Sequence, residues 1–101
     1  MQTFHPRQTS HATVVEGEVF AVELPARPAS GYRWDAALEA GVELLERESA
    51  PAPGAVGAST VTRFVLRAGA RGRCSVRFTS RRPWEQHDAE SLVLALDVIA
   101  P

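Results

Sequence analysis

The sequence predicts an all-β protein, a sandwich or a barrel, on two observations. Apolar residues fall in short runs that alternate or cluster. Seven Pro and seven Gly separate those runs, at intervals of about ten residues. In chain order, Thr13–Val15 reads as a first strand and Glu16-Gly17-Glu18 as a turn. Val19–Leu24 alternates, with Phe20, Val22 and Leu24 on one face and Ala21 and Glu23 on the other. Pro25 and Pro28 are expected to end it, because proline donates nothing to a ladder. Tyr32–Asp35 is a short strand anchored by Trp34, and Asp35–Ala40 fits one helical turn. Val42–Glu48 (VELLERE) suits helix or strand, and its strand neighbours favour strand. Ser49–Gly57, rich in Pro, Gly and Ala, is a long loop of the kind that is often functional in a compact domain.

Thr60–Ala68 places Phe64, Leu66 and Ala68 on one face and Arg63 and Arg67 on the other. Gly69–Gly72 reads as a hairpin turn. Arg73–Ser80 turns Cys74, Val76 and Phe78 inward and Arg73, Ser75, Arg77 and Thr79 outward. Arg81–Glu90 is a polar loop carrying Trp84. Ser91–Ile99 is a closing strand, apolar on both faces apart from Asp97, which marks it as central.

The 101 residues suit one domain, residues 1–101, large enough for a core without covalent staples. A net charge of -1 leaves no basic excess for nucleic acid. All 11 basic residues are Arg, Lys and Asn are absent, and Ile99 is the one Ile. These choices avoid A/T-rich codons and point to a GC-rich, bacterial genome. Cys74 stands alone, so no internal disulfide forms. MQTFHPRQTSHATVV has no signal-peptide pattern, and the longest apolar run, near Leu92–Leu96, is too short to span a bilayer. The expected setting is the cytoplasm, or export where a leader has been trimmed, for a monomer with no membrane partner.

Catalytic chemistry finds little support. No G-x-S-x-G elbow surrounds Ser30, Ser80 or Ser91. His5, His11 and His87 lack metal-ligand spacing. His87-Asp88 and the acids Glu85, Asp88 and Glu90 read as a solvated loop, and Cys74 as a buried, inert thiol. No glycine-rich phosphate loop is present. Neither an enzyme, nor a metal site, nor a cofactor is expected.

Three loops of unusual composition remain. Arg27-Pro28-Ala29-Ser30-Gly31-Tyr32, followed by Trp34, combines a residue that fixes φ with one that frees it, which makes a shaped turn. Gly54-Ala55-Val56-Gly57-Ala58-Ser59 has small side chains that either admit a partner's close approach or form a plain connection. In Arg82-Pro83-Trp84-Glu85, the Trp is either a plug for the end of the fold or a binding anchor, since Trp and Arg are enriched at interface hot spots.

From about Val14 to Ile99, the order P-x-S-G-Y-x-W, small-residue loop, strand pair, R-P-W-E, last strand resembles the chagasin-like family of cysteine protease inhibitors. The resemblance implies an immunoglobulin-like β-sandwich of about seven to eight strands, with three functional loops at one end. It implies reversible occlusion of a papain-like cysteine protease, the three loops entering its active-site cleft as a wedge. Pro28, Ser30, Gly31 and Tyr32 match the family's N-P-T-T-G-[YF] loop, with Arg27 and Ala29 standing for its Asn and first Thr. Arg82, Pro83 and Trp84 match R-P-[WF]. Gly57 matches the first glycine of G-x-G-G, followed by Ala58, while Ser59 and Thr60 replace the paired glycines. Arg81 and Arg82 are expected to meet acidic groups on the protease rim. The alternative is an immunoglobulin-like interaction module without inhibitory activity, to which Arg27 and the altered middle loop lend weight.

Overall fold

Alternation drives two four-stranded sheets together. The computed structural model describes residues 1–26, 31–51 and 60–101. The strands are β1 (Thr3–Phe4), β2 (His11–Val15), β3 (Val19–Ala26), β4 (Arg33–Leu38), β5 (Val42–Pro51), β6 (Thr60–Ala68), β7 (Gly72–Arg81) and β8 (Glu90–Ile99). One sheet runs β1-β3-β6-β5 and the other β2-β8-β7-β4. Each presents its apolar phase to the other: Phe20, Val22, Leu24, Phe64 and Leu66 from the first, Val14, Val76, Phe78, Leu94 and Leu96 from the second, all fully buried. Phe64 and Phe78 meet across the interface at 5.3 Å between ring centroids, tilted by 50°.

The expected sandwich forms, with β6 at its expected bounds and β8 central between β2 and β7. Several local expectations are corrected. β1 is a two-residue strand parallel to β3, too short to leave a periodic signal. β2 begins at His11, and β5 runs past Ser49 to Pro51; residues 52–57 of the expected long loop lie outside the described residues.

Pro25 does not end β3, which pairs with β6 through Ala26. Antiparallel residues alternate between facing the partner strand and facing away. Ala21 faces away, donating its N–H to the carbonyl of Gln2, and Pro25 shares that phase. Its missing donor therefore falls on the side away from β6, where no ladder bond is lost.

Asp35–Ala40 forms no helical turn. β4 continues to Leu38, paired with β7 from Arg33↔Arg81 to Leu38↔Val76. Helix-forming Ala and Leu are overruled by burial of this edge and by Glu39, which accepts the N–H (3.2 Å) and hydroxyl (3.0 Å) of Ser75. Nor do residues 69–72 make a hairpin. Both edges of β6 are taken by β3 and β5, so β7 crosses to the other sheet. The Gly69 N–H donates to the Gly41 carbonyl at 2.6 Å, fastening this crossover to the β4–β5 turn. Cys74 is half-buried rather than buried, and desolvation holds its thiol pKa above the ordinary value.

Polar order on the outer faces is specific. The Glu18 carboxylate accepts the Val15 N–H (2.9 Å) and the Gln2 amide (2.7 Å). These bonds, the backbone one foremost, hold its pKa below the ordinary value. Their stabilisation is present above that ordinary value and fades as pH falls through the lowered one. Glu23 is 5% exposed and is held by Arg63 at 2.6 Å, which also reaches Glu48 at 3.1 Å. Arg63→Ala leaves Glu23 buried and unpaired, the costly case for a buried charge. It is expected to lower the melting temperature clearly more than Glu48→Ala, which spares the Glu23 pair; equal shifts in a thermal melt would contradict this.

Candidate functional site

Register brings six strand ends to one end of the sandwich. In one sheet Ala26 and Pro51 both pair with Thr60. In the other, Arg33 pairs with Arg81 and Ser80 with Glu90. The strand ends that flank 27–30, 52–59 and 82–89 therefore all lie at this end. Arg27, Pro28, Ala29, Ser30, Gly57, Ala58 and Ser59 lie outside the described residues. Gly31, Tyr32, Arg82, Pro83 and Trp84 are described, and the structure brings Gly31, Tyr32, Arg82 and Trp84 together.

Trp34 fastens the base of the first loop. Alternation turns it into the core, where it is 4% exposed. Its indole Nε1–H donates to the Pro25 carbonyl at 2.8 Å, the group that Pro25 turns away from β6. One bond thus satisfies the buried indole and ties the start of β4 to the end of β3. From β5, Arg47 donates Nη1 to the Trp34 carbonyl (3.2 Å) and to Asp35 Oδ1 (2.8 Å), clamping the two sheets along this edge.

The third loop folds back on itself. The Glu85 N–H donates to the Arg82 carbonyl at 3.0 Å, and the Ala89 N–H to the Ser80 carbonyl at 2.8 Å. Between these bonds Trp84 projects. It does not plug the sandwich, because 70% of it is exposed. Its ring lies against Gly31, whose φ is +80°. A Cβ on Gly31 would come within 2.9 Å of Trp84 Cη2. Gly31 is thus needed twice, for its left-handed backbone and for the surface it leaves to the indole. The Arg82 guanidinium lies over the Tyr32 ring at 4.5 Å and beside the Trp84 ring at 5.9 Å, with Glu85 Oε1 3.5 Å from its Nη1. Two contacts, Trp84 on Gly31 and Arg82 on Tyr32, therefore join the first loop to the third.

Gly31→Ala tests this junction. The strained φ costs about 1–2 kcal/mol. The clash meets the free end of an exposed side chain, which swings aside. The expected result is a small fall in melting temperature with a clear change in Trp fluorescence as the indole leaves its seat. An unchanged spectrum would contradict the contact.

Among the described residues, no three His, Cys, Asp or Glu side chains gather as metal ligands. The sequence reading missed Arg33, which stands opposite Arg81 on the outer face beside this junction. Only the cross-strand register reveals that pairing.

Among solved structures, the cysteine protease inhibitor EhICP2 from Entamoeba histolytica aligns over 97% of this chain and 95% of its own, with 18% identity and a TM-score of 0.81. Amebosin, solved in solution, aligns over 99% and 97%, with 22% identity and a TM-score of 0.64. PbICP-C, solved in complex with falcipain-2, aligns over 99% and 92%, with 15% identity and a TM-score of 0.55. At such identities the likeness is one of fold, an immunoglobulin-like sandwich. No curated protein matches the sequence. The family described as chagasin family peptidase inhibitor I42 matches residues 13–98. With that match spanning β3 to β7 in full and most of β2 and β8, the chain belongs to the chagasin family of peptidase inhibitors.

Proposed function

We propose that the chain, acting as one monomeric domain, reversibly inhibits papain-like cysteine proteases by occluding the active-site cleft. The observation that carries this reading is the exposed Trp84, seated on Gly31 at the loop-bearing end while Arg82 covers Tyr32. A protein that exposes a large aromatic and restrains it from below has a binding anchor that loses little entropy on docking. Family membership supports the inhibitory role. EhICP2 is a cysteine protease inhibitor, and PbICP-C was solved on falcipain-2.

In this reading Arg27, Pro28, Ala29, Ser30 and Gly31 lie across the catalytic centre. A proline-containing turn presents no extended peptide for cleavage. Trp84, with Pro83 beside it, packs on apolar surface along the cleft. Gly57, Ala58 and Ser59 flank the other side. No bond is made or broken, and no metal or cofactor takes part.

The test is a titration into papain and a cathepsin L-like protease with a fluorogenic peptide substrate, and trypsin as control. Inhibition in the nanomolar range, confined to the cysteine proteases, is expected. No inhibition at tens of micromolar by the folded protein overturns the proposal and leaves the interaction-module reading.

A further inference from the structure

Arg33 and Arg81 are a direct cross-strand pair between β4 and β7. Their neighbours Trp34 and Ser80 are buried, so both arginines point to the outer face, where both are exposed. Cβ atoms of facing residues in such a pair lie roughly 4.5–5.5 Å apart. Like charges at that spacing destabilise a sheet rather than support it. Every other described arginine, from Arg7 on Glu90 to Arg82 on Glu85, has an acidic or hydroxyl partner. Among the described residues, the guanidinium groups of Arg33 and Arg81 have none. The nearest acid on their face of β4, Asp35, is held by Arg47 at 2.8 Å.

The pair also sits where a docked partner would reach it. Arg33 lies two residues after Gly31, and Arg81 three before Trp84. A protein seated on the Trp84–Gly31 junction therefore carries its rim over both. Two planar guanidinium forks can share one carboxylate, each donating paired N–H groups, which a lone ammonium cannot match. The charge complementarity is one-sided: a carboxylate relieves the repulsion, and a cation adds to it.

We propose that Arg33 and Arg81 form a two-arginine clamp for an acidic side chain on the rim of the protease cleft. The proposal rests on the inhibitor reading and adds a specificity determinant to it. The clamp favours papain-like proteases that carry a carboxylate beside the cleft. Rim charges act chiefly on encounter, so the clamp speeds association more than it slows release.

The experiment compares wild type, R33Q, R81Q and the double variant against papain and a cathepsin L-like protease, with association rates read from inhibition progress curves at low and high salt. With at least one enzyme, the double variant is expected to associate about tenfold more slowly at low salt and to lose most of its salt dependence. Its dissociation rate stays within about twofold of wild type. R33K/R81K recovers most of the rate. Unchanged or faster association with both enzymes, from variants that still inhibit, overturns the clamp and leaves the inhibitor reading standing. Absence of inhibition by wild type overturns the inhibitor reading instead. Thermal melts supply a readout independent of inhibition. R81Q is expected to melt at or above wild type because it removes one of two facing cations, and a drop of several degrees would assign the pair a structural role and overturn the clamp.

Discussion

Trp84→Ala is expected to raise the inhibition constant for papain-like proteases by roughly 30- to 1,000-fold, the loss of about 2–4 kcal/mol that an aromatic hot spot carries. The fold should hardly notice. Trp84 is 70% exposed, its loop is closed by backbone bonds of its own, and exposed substitutions change stability by roughly 0.5 kcal/mol. Trp84→Phe keeps an aromatic face and should recover part of the affinity. The measurement is a set of inhibition titrations beside thermal melts of the same samples. Unchanged inhibition by Trp84→Ala would remove the anchor from the mechanism. A collapse in melting temperature would make Trp84 a structural residue.

Phe78→Ala is the converse case, large in stability and absent from binding. The ring is fully buried on β7 and packs at 5.3 Å on Phe64 of β6, so it joins the two sheets near the centre. Deleting a buried Phe costs about 3–5 kcal/mol in transfer and cavity terms. That is a large share of the roughly 5–15 kcal/mol that holds a domain together. The melting temperature is expected to fall by about 15–30 °C. Phe78→Leu, which leaves less empty volume, should lose about half as much or less. Protein that is still folded in the cold should inhibit with the wild-type constant, because Phe78 is fully buried between the sheets and offers no surface to a partner. A stability change under about 1 kcal/mol would contradict the packing described here.

The contrast between these two residues shows what the sequence discloses. Phe78 was legible because alternation along a strand is a local signal: Val76, Phe78 and their opposites Arg77 and Thr79 sort themselves by face. β6 was legible for the same reason. Asp35–Ala40 was misread because D-A-A-L-E-A has good local helix propensity, and pairing with β7 decides otherwise. Pro25 was misread because a proline's effect depends on which way its nitrogen faces, and only the register with β6 and the Gln2–Ala21 bond fixes that. The crossover at 69–72 was read as a hairpin because turn composition does not record which sheet the next strand joins.

The site divides in the same way. Gly31, Tyr32 and Trp84 stood out by composition and motif, but their contact did not, since 53 positions separate Gly31 from Trp84. Arg82 was read as a rim cation, and its contact with the Tyr32 ring was not visible in the sequence. Arg33 drew no attention, and its register opposite Arg81 is what sets two exposed cations face to face beside the junction. Side chains announce themselves singly, and register determines which of them act together.

A crystal structure of the chain bound to papain tests the central claim most directly. The account predicts that Trp84 and Gly31 are buried inside the active-site cleft, with residues 27–30 over the catalytic cysteine and the sheets outside. A complex in which Trp84 remains exposed, and the protease rests on the outer face of either sheet, would contradict it.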